Sequence, residues 1–387
     1  MANTITNLTV ELYNALDVVS RELVGFIPAV TADMTYERAA KGQTVRSPVA
    51  PAATASDISP AVTPPDDGDQ TIGNAPMTIS EARRVPVRWN GEQRRALDNN
   101  GAPYNALLRD QFAQAMRTLV NEVEADIAAL HTKASRAYGT AGTTPFGTAG
   151  DFTDASNVAR IIKDNGGWSS SDMHLILDTA AGANLVGKQS RTDVAGQDQL
   201  QRRGVLLDTA GFALRESGAV VTGGSDAITD NVTVTGANAK GATTINVTTD
   251  GTGAVNASAG DMITIAGDDQ KYVLAADVTI GNGTNGDIEL QAPGLRQATS
   301  GSEAVSGVGA AARSMAFPRS AIALATRAPA LPEQGDSAAD RMIITDPVSG
   351  LSFEVSLYAQ YRQIQYEIAL AWGTAAIKPE HIALLIG

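Results

Sequence analysis

The 387-residue chain contains no cysteine and has only three histidines, His131, His174 and His381. The absence of cysteine excludes disulfides, thiolate catalysis and zinc–thiolate sites. The histidines are far apart in the sequence, so we expect them to pack in the core or lie at the surface rather than to bind a metal or act in catalysis. The sequence therefore predicts neither a metal nor another cofactor.

Long apolar segments and basic charge are also scarce. The chain has no apolar run long enough for a membrane-spanning helix and no charged-then-apolar leader. We therefore expect a protein that is made and kept in a cytoplasm and has no membrane partner. Acidic residues outnumber lysine and arginine by 42 to 29, which gives a formal charge of −13. This acidic excess repels phosphates, so tight binding to nucleic acid is not expected.

Catalytic motifs are incomplete. Residues 182–189 match G-x-x-x-x-G-K, but Gln189 stands where a P-loop needs serine or threonine to hold magnesium. Two turns rich in Asp, Asn and Gly, residues 66–69 and 281–287, lack the ordered ligand spacing of a calcium loop. The nucleophile motif G-x-S-x-G does not occur. These absences predict a protein that is not an enzyme and acts through its surfaces.

What the chain does contain is an unusual proline-rich stretch at residues 48–76, with six of the sixteen prolines and no aromatic residue. Such a composition cannot bury enough apolar surface to fold alone. Residues 77–90 then alternate between apolar and polar, which predicts a strand, and Pro86 places that strand at an edge. We expect residues 42–90 to form a two-stranded arm that lies on another surface, since an isolated hairpin is barely stable.

Helical patterns lie on both sides of this arm. Residues 9–25 have apolar positions at helical spacing, with Thr9 as N-cap and Gly25 as stop. Residues 103–138 repeat apolar side chains every three or four positions, which predicts one helix of about 50 Å. So long a helix is typical of a structural beam along a flat domain.

The remaining sequence changes character twice. Residues 151–225 alternate helical and strand patterns, whereas residues 226–299 contain short β-branched strands between Gly, Asn and Asp turns. The second pattern predicts a small all-β barrel or sandwich inserted into an α+β protein. Near the C-terminus, alternation over residues 351–357 and 364–372 is offset by a phase slip, which we interpret as a bend or bulge in one long strand.

Five segments spread over the chain carry a resemblance to one protein family. They are NLTVELYNALDVVSRELVGFIPAV, TPPDDGDQTIGN with VPVRWNGEQ, RDQFAQAMRTLVNEVEADIA, ASRAYGTAGTTPF and SMAFPRSAIALATRAPALP. Together they resemble the major capsid proteins of tailed bacteriophages, and among these the podovirus-type coat proteins that have the Hong Kong 97-like fold with an inserted β-domain. The resemblance runs over nearly the full length of the chain.

This resemblance implies a specific domain organisation. It consists of an N-terminal arm (1–41), an extended β-hairpin loop (42–90), a spine helix with part of the peripheral domain (91–150), an axial domain in two parts (151–225 and 300–335), an inserted β-domain (226–299) and C-terminal peripheral strands (336–387). The extended loop would reach over a neighbouring subunit, which accounts for a proline-rich stretch without a core of its own.

The resemblance also implies a function and partners. Subunits would assemble as hexamers and pentamers into an icosahedral shell that encloses double-stranded DNA, without sequence-specific binding. A scaffolding protein and a portal protein would take part, the shell would form in the bacterial host cytoplasm, and the product would be the virion capsid. Covalent crosslinking is known in some relatives, and Lys41 beside the arm is a lone candidate for it.

Charged residues on the arm are the candidate interface residues. We predict that they meet opposite charges on adjacent subunits and steer register more than affinity. A simpler alternative is that they keep an edge strand soluble. The candidates are Arg46, Arg83, Arg84 and Arg88 on the predicted strands and Asp66, Asp67 and Asp69 at the tip.

Three other functions are compatible with parts of the sequence. An encapsulin-like cellular compartment would share the shell architecture. An NTP-binding α/β protein is disfavoured by Gln189, and a surface adhesin, suggested by the Thr/Asn-rich module, is disfavoured by the missing secretion signal.

Overall fold

The computed structural model describes residues 24–49, 53, 55–60, 62–63, 68–99, 104–148, 151–169, 171–188, 208–224, 228, 231–252, 255–346 and 350–387. The predicted N-terminal helix and two of the predicted interface residues, Asp66 and Asp67, lie outside this set. The α-helices are α1 (Gly91–Asn99), α2 (Tyr104–Ala128), α3 (Thr153–Asp164) and α4 (Thr179–Lys188).

The β-strands form mostly separate runs before and after these helices, which confirms the α+β class. They are β1 (Thr31–Ala39), β2 (Thr44–Val49), β3 (Gly73–Thr78), β4 (Glu81–Asn90), β5 (Arg136–Gly139), β6 (Met173–Leu177), β7 (Ala213–Glu216), β8 (Thr222–Gly223), β9 (Val232–Val234), β10 (Thr244–Thr249), β11 (Val255–Ala257), β12 (Met262–Ile265), β13 (Lys271–Val273), β14 (Val278–Ile280), β15 (Asn285–Glu289), β16 (Ala304–Gly307), β17 (Ala311–Pro318), β18 (Ile322–Pro329), β19 (Asp340–Thr345), β20 (Ser352–Gln360), β21 (Gln363–Ala376) and β22 (Ala383–Ile386).

A six-stranded sheet forms one half of the described molecule. Its order is β1-β18-β21-β20-β19, and β4 pairs with β21 over residues 81–90. Helix α2 covers one face, where Phe112 lies 5.3 Å from the ring of Tyr366. The Trp372 indole Nε1 donates to Asp126 at 2.7 Å. Among the described strands β4 pairs with β21 alone, which confirms its predicted edge position.

Helix α2 is shorter than the sequence pattern indicates. It ends at Ala128, and a 3-10 turn at Ala129–Lys133 leads into β5. Its 25 residues span about 38 Å rather than about 50 Å. The prediction of a helix to residue 138 was wrong because residues 136–139 pair in parallel with β22. The Ser135 hydroxyl also donates to the Ile382 carbonyl at 2.8 Å, which fixes the chain where the strand begins.

The C-terminal alternation belongs to two strands rather than one. Strands β20 and β21 are antiparallel, with Gln360 opposite Gln363. The chain reverses at Tyr361 and Arg362, and Arg362 has a φ of 57° in the left-handed region. The predicted bulge was therefore wrong, because a tight hairpin turn produces the same phase slip as a bulge.

A larger sheet, of twelve strands in the described residues, forms the second half of the molecule. Its order is β15-β10-β9-β16-β12-β13-β5-β22-β17-β6-β7, with β8 on β17. Strand β22 is wholly buried between β5 and β17. The sequence of residues 173–178 predicts a short buried strand, and β6 confirms it. Residues 153–167 predict a capped helix, and α3 forms there but begins without a side-chain cap hydrogen bond. The predicted hairpin over residues 204–218 lies partly outside the described set, and its second strand β7 pairs in parallel with β6.

The all-β module has its own apolar core. That core is built from the short strands predicted within residues 226–299 and also includes Val305 of β16, beyond the predicted boundary. Two buried arginines attach the module to the rest of the sheet. Arg136 on β5 donates to the Gly294 carbonyl at 2.8 Å, and Arg313 on β17 donates to the Gly260 carbonyl at 2.7 Å. No described helix is long and apolar enough to cross a membrane.

Candidate subunit interface

The arm is a hairpin of β2 and β3, closed at its base by backbone hydrogen bonds. The Gly42 N–H donates to the Ile79 carbonyl, and the Ile79 N–H donates to the Gln43 carbonyl, both at 2.9 Å. The strands pair from Thr44 opposite Thr78 to Val49 opposite Gly73. Strand β4, predicted to continue the arm, instead belongs to the six-stranded sheet.

The arm base is seated on the face of the six-stranded sheet opposite α2. Met77 and Ile79 are buried there in a small apolar cluster with Ala39, Ala325 and Ala371. The approach of the backbone is so close that a Cβ on Gly373 would overlap the Thr78 carbonyl oxygen. The direction in which the arm leaves the body is therefore set by packing at its base.

The arm tip is exposed and carries large aliphatic side chains. Residues 55–60 are all exposed. Ile58 is 97 % exposed, Val62 is fully exposed and Ile72 is 67 % exposed. Scattered single exposed aliphatic residues are common, but three of them lie among the described residues between the two arm strands.

The predicted interface arginines are placed on two strands. Arg46 lies exposed on β2, and Asp69 is exposed at the tip. On β4, Arg83 is within 3.0 Å of Glu81 and 3.8 Å of Glu122. These contacts show that the arm charges do not all project freely to solvent.

Arg84 and Arg88 lie on the face of β4 opposite that of Arg83. Arg84 forms an ion pair with Glu367 at 2.5 Å, and this hydrogen bond raises the pKa of Arg84 above its ordinary value. Arg88 is exposed on the same strand face. Lys41, the lone crosslinking candidate, is 3.6 Å from Glu81 at the arm base.

A buried carboxylate holds the chain where the N-terminal segment enters the body. Glu124 of α2 is 3 % exposed. Its Oε1 accepts from the Ile27 N–H at 2.8 Å, and its Oε2 accepts from the Phe26 N–H at 3.1 Å and the Ser217 hydroxyl at 2.9 Å. Burial raises the pKa of Glu124, and the hydrogen bonds from Ile27, Phe26 and Ser217 oppose that rise.

The substitution Glu124→Gln is expected to lower the free energy of unfolding by about 1–3 kcal/mol near neutral pH. Glutamine offers one acceptor oxygen, so a buried N–H of Phe26 or Ile27 loses its partner. The raised pKa means that the folded chain binds more protons than the unfolded chain between pH 4.5 and that raised value. The free energy of unfolding that Glu124 contributes therefore falls as pH rises through this window.

Urea unfolding over a pH series measures both effects. The chain with Glu124→Gln should lack the falling slope that the wild-type chain shows above pH 4.5. Glu122→Gln, on the exposed side of the same helix, is the matched control and should change the free energy of unfolding by no more than about 0.5 kcal/mol. Identical pH slopes for wild type and Glu124→Gln would contradict the assignment.

The residues of the incomplete P-loop motif and the three histidines have structural positions in the described part of the chain. Residues 182–188 form part of α4 rather than a phosphate-binding loop, and a Cβ on Gly182 would overlap the Glu216 side chain. His131 and His174 are buried and His381 is half-buried, and burial lowers the pKa of all three. In the described residues no group of three acidic, His or Cys side chains could hold a metal.

Several residues of this surface were missed by sequence reasoning. Ile58 and Val62 stand out in the sequence as large aliphatic residues in a stretch of small and proline residues, and that signal was available. Glu124 sits among apolar positions of α2, which marks it as a buried carboxylate. Gly373 had no sequence signal, because its role depends on how closely Thr78 approaches.

Comparisons with known proteins give structural similarities only. No family model matches the chain, and no curated protein matches it. The capsid of cyanophage P-SCSP1u is 12 % identical, with 92 % of this chain and 86 % of that chain covered and a TM-score of 0.45. The mature capsid of bacteriophage PhiM1 is 8 % identical, with 93 % and 86 % covered and a TM-score of 0.45. A virus-like particle from Pyrococcus furiosus is 9 % identical, with 98 % and 100 % covered and a TM-score of 0.45.

Proposed function

We propose that this chain is the major capsid protein of a tailed bacteriophage, which assembles into an icosahedral shell. The observation that carries the proposal is the arm, an extended hairpin with exposed Ile58, Val62 and Ile72. The base of this hairpin packs on its own sheet, but the part beyond the base gains stability only when it lies on another surface. A second copy of the chain supplies that surface.

A contact in which one copy donates an arm and the next receives it is heterologous. Such contacts propagate around a ring and between rings instead of closing as a dimer. Many modest contacts of this kind, repeated over a shell, give a stability that no single interface shows. Hexamers and pentamers are the rings that a closed icosahedral shell requires.

The acidic composition fits a container for double-stranded DNA. An inner shell surface with net negative charge repels DNA phosphates, so it does not bind the genome tightly while the DNA enters. The proposal implies a scaffolding protein during assembly in the host cytoplasm, a portal protein at one vertex and packaged DNA as partners. No catalytic step is part of this function.

Negative-stain microscopy of the purified protein tests the proposal. Shells of uniform diameter are expected. Particles purified from host cells should contain nuclease-protected double-stranded DNA, which separates a genome container from a cargo compartment. A protein that stays monomeric over a wide range of concentration would refute the proposal.

The arginines of β4 are proposed to steer assembly. The substitution Arg84→Glu removes the ion pair with Glu367, whose side chain is only 16 % exposed, and places a second carboxylate beside it, which costs about 1–2 kcal/mol of folding stability. We expect shell assembly, followed by light scattering, to slow about tenfold and to lose part of its salt dependence.

The charge swap Arg84→Glu with Glu367→Arg is the control for this prediction. It rebuilds the pair within the chain but reverses the charges presented to a neighbour. Assembly that stays slow in the swap indicates a role between subunits. Assembly at the wild-type rate in the Arg84→Glu chain would show that the arginine only keeps the strand soluble.

A further inference from the structure

The sequence contains five Asn-Gly dipeptides, and the structure describes four of them. Glycine has no Cβ, so the side chain of a preceding asparagine can approach the glycine nitrogen closely. Such a pair loses ammonia spontaneously when the glycine N–H is free and the asparagine side chain can move. The four described asparagines, which differ in both respects, are Asn90, Asn165, Asn282 and Asn285.

Asn90 is held at the start of α1. Its Oδ1 accepts from the Gln93 N–H at 2.7 Å, and its own N–H donates to the Gln93 side chain at 3.2 Å. The Gly91 N–H donates to the Arg362 carbonyl at 3.2 Å. Both the side chain and the following nitrogen of this pair are therefore engaged.

Asn165 is held at the end of α3. Its Nδ2 donates to the Glu380 carbonyl at 2.6 Å and to the Ser135 hydroxyl at 3.1 Å. The Gly166 N–H donates to the Lys163 carbonyl at 3.0 Å. This pair is fixed in the same way as the one at α1.

Asn285 is exposed, but the nitrogen that follows it belongs to a sheet. Strand β15 is antiparallel to β10, with Gly286 opposite Val247. Just beyond the paired residues, the Leu290 N–H donates to the Thr243 carbonyl at 2.7 Å. Hydrogen-bonded pairs recur at every second residue of an antiparallel ladder, so Gly286 and Val247 form such a pair as well. The Gly286 N–H is therefore engaged.

Asn282 lies in the turn between β14 and β15, and both residues of this pair are exposed. The turn is fixed at its two ends. The Thr249 hydroxyl donates to the Gly281 carbonyl at 3.0 Å, and it accepts from the Thr284 N–H at 3.2 Å. Between these ends, neither the Asn282 side chain nor the Gly283 N–H has a hydrogen-bond partner in the described part of the chain.

We propose that Asn282 is a site of spontaneous deamidation, which converts it to a mixture of aspartate and isoaspartate. The Gly283 nitrogen gives its proton to a base in solution and attacks the Asn282 Cγ. This new carbon–nitrogen bond closes a cyclic succinimide, and the bond between Cγ and Nδ2 breaks as ammonia leaves. Water then opens the ring at either carbonyl. The net change is one water taken up and one ammonia released.

The reaction adds negative charge beside an edge strand that is already acidic. Strand β15 is the outermost strand of the twelve-stranded sheet, and Asp287 and Glu289 are exposed on it. Charged side chains on a free edge oppose its pairing with another sheet. Each chain that reacts therefore gains charge at a solvent-facing edge of the all-β module. This inference does not depend on assembly of the chain into shells.

Peptide mapping by mass spectrometry tests the assignment on the full chain after incubation in a mildly alkaline buffer. Asn282 should gain the mass difference between an amide and an acid, and enzymatic methylation of isoaspartate should label the same peptide. Asn285 should react at least about tenfold more slowly, because its reaction requires local opening of the strand. Asn90 and Asn165 should stay intact while the chain is folded.

The same chain unfolded in urea is the control for intrinsic reactivity. All five Asn-Gly pairs should then react at rates within about threefold of one another, since the protecting hydrogen bonds are lost. Equal rates at Asn282 and Asn285 in the folded chain would overturn the inference. So would an Asn282 that reacts in urea but stays intact in the folded chain.

Two glutamine variants form a matched pair. Asn282→Gln lengthens the side chain by one methylene, which disfavours ring closure, and Asn285→Gln makes the same change at the neighbouring exposed pair. Isoelectric focusing should show acidic species accumulating in the Asn285→Gln chain as fast as in the wild-type chain, and more slowly in the Asn282→Gln chain. Equal accumulation in the two variants would place the reaction elsewhere in the chain.

Discussion

A chain in which Ile58 and Val62 are both replaced by aspartate is expected to fold normally and to form no shells. Both side chains are exposed in the subunit, so the free energy of unfolding should change by no more than about 0.5 kcal/mol. Each aliphatic side chain contributes about 1.5–3 kcal/mol when it becomes buried. Loss of two weakens each subunit contact by about 100-fold or more.

Assembly is measured by light scattering and microscopy, and folding by urea unfolding. Ser56→Asp with Ser59→Asp is the matched control, because it places the same two charges at exposed neighbouring positions without removing an aliphatic side chain. That control should assemble within about threefold of the wild-type rate. Normal shells from the double aspartate chain would show that the tip does not contribute to the interface.

The substitution Gly373→Ala is expected to lower the free energy of unfolding by about 1–3 kcal/mol and to displace the arm base. The added methyl group overlaps the backbone carbonyl of Thr78, which cannot move as a flexible side chain could. Because Met77 and Ile79 are buried beside it, the shift spreads to the cluster that seats the arm. Hydrogen exchange at these residues should speed up, and assembly should fail or slow.

A second glycine provides the control for this change. Gly187 lies in α4, where a Cβ meets open space. Gly187→Ala should therefore be neutral or should raise the free energy of unfolding by up to about 1 kcal/mol. Equal stability of the two alanine variants would contradict the close approach at Gly373.

Strand positions were predictable where one face of a strand is buried. Alternation in residues 77–90, 351–357 and 364–372 predicted extended backbone there, because side chains of a half-buried strand alternate between apolar and polar. The structure divides the first of these segments between β3 and β4 and assigns the other two to β20 and β21. What alternation cannot reveal is the turn between strands. The reversal at Arg362 has no glycine or asparagine to mark it, so the pattern fits a bulge as well as a hairpin.

The end of α2 was unpredictable for a related reason. Residues 129–138 keep a helical spacing of apolar side chains, and intrinsic propensity favours continuation. Pairing with β22, a segment more than two hundred residues later, outweighs that local preference. A distant partner of this kind leaves no trace in the local sequence.

The interface was only partly predictable from charge. Arg83 and Arg84 were chosen because they are cationic on a predicted edge strand, and the structure pairs both of them within the chain. In the proposed assembly, burial of Ile58 and Val62 would contribute more binding energy than such exposed pairs. Charge favours arginine and aspartate as interface candidates, whereas large aliphatic residues in a stretch of small and proline residues give a second signal in the sequence, to which the structure adds their exposure.

The central position of β22 has a consequence for how the subunit is made. Strand β5 cannot pair with β22 until nearly all of the intervening chain has been synthesised, since Ser135 and Ile382 are 247 residues apart. During that interval the edges of β5 and β17 that later pair with β22 have unpaired backbone N–H and C=O groups. Such unpaired strand edges promote aggregation of nascent polypeptides. Yield of usable subunits should therefore be governed by the speed of translation and by chaperone supply in the cell, more than by the final stability of the fold.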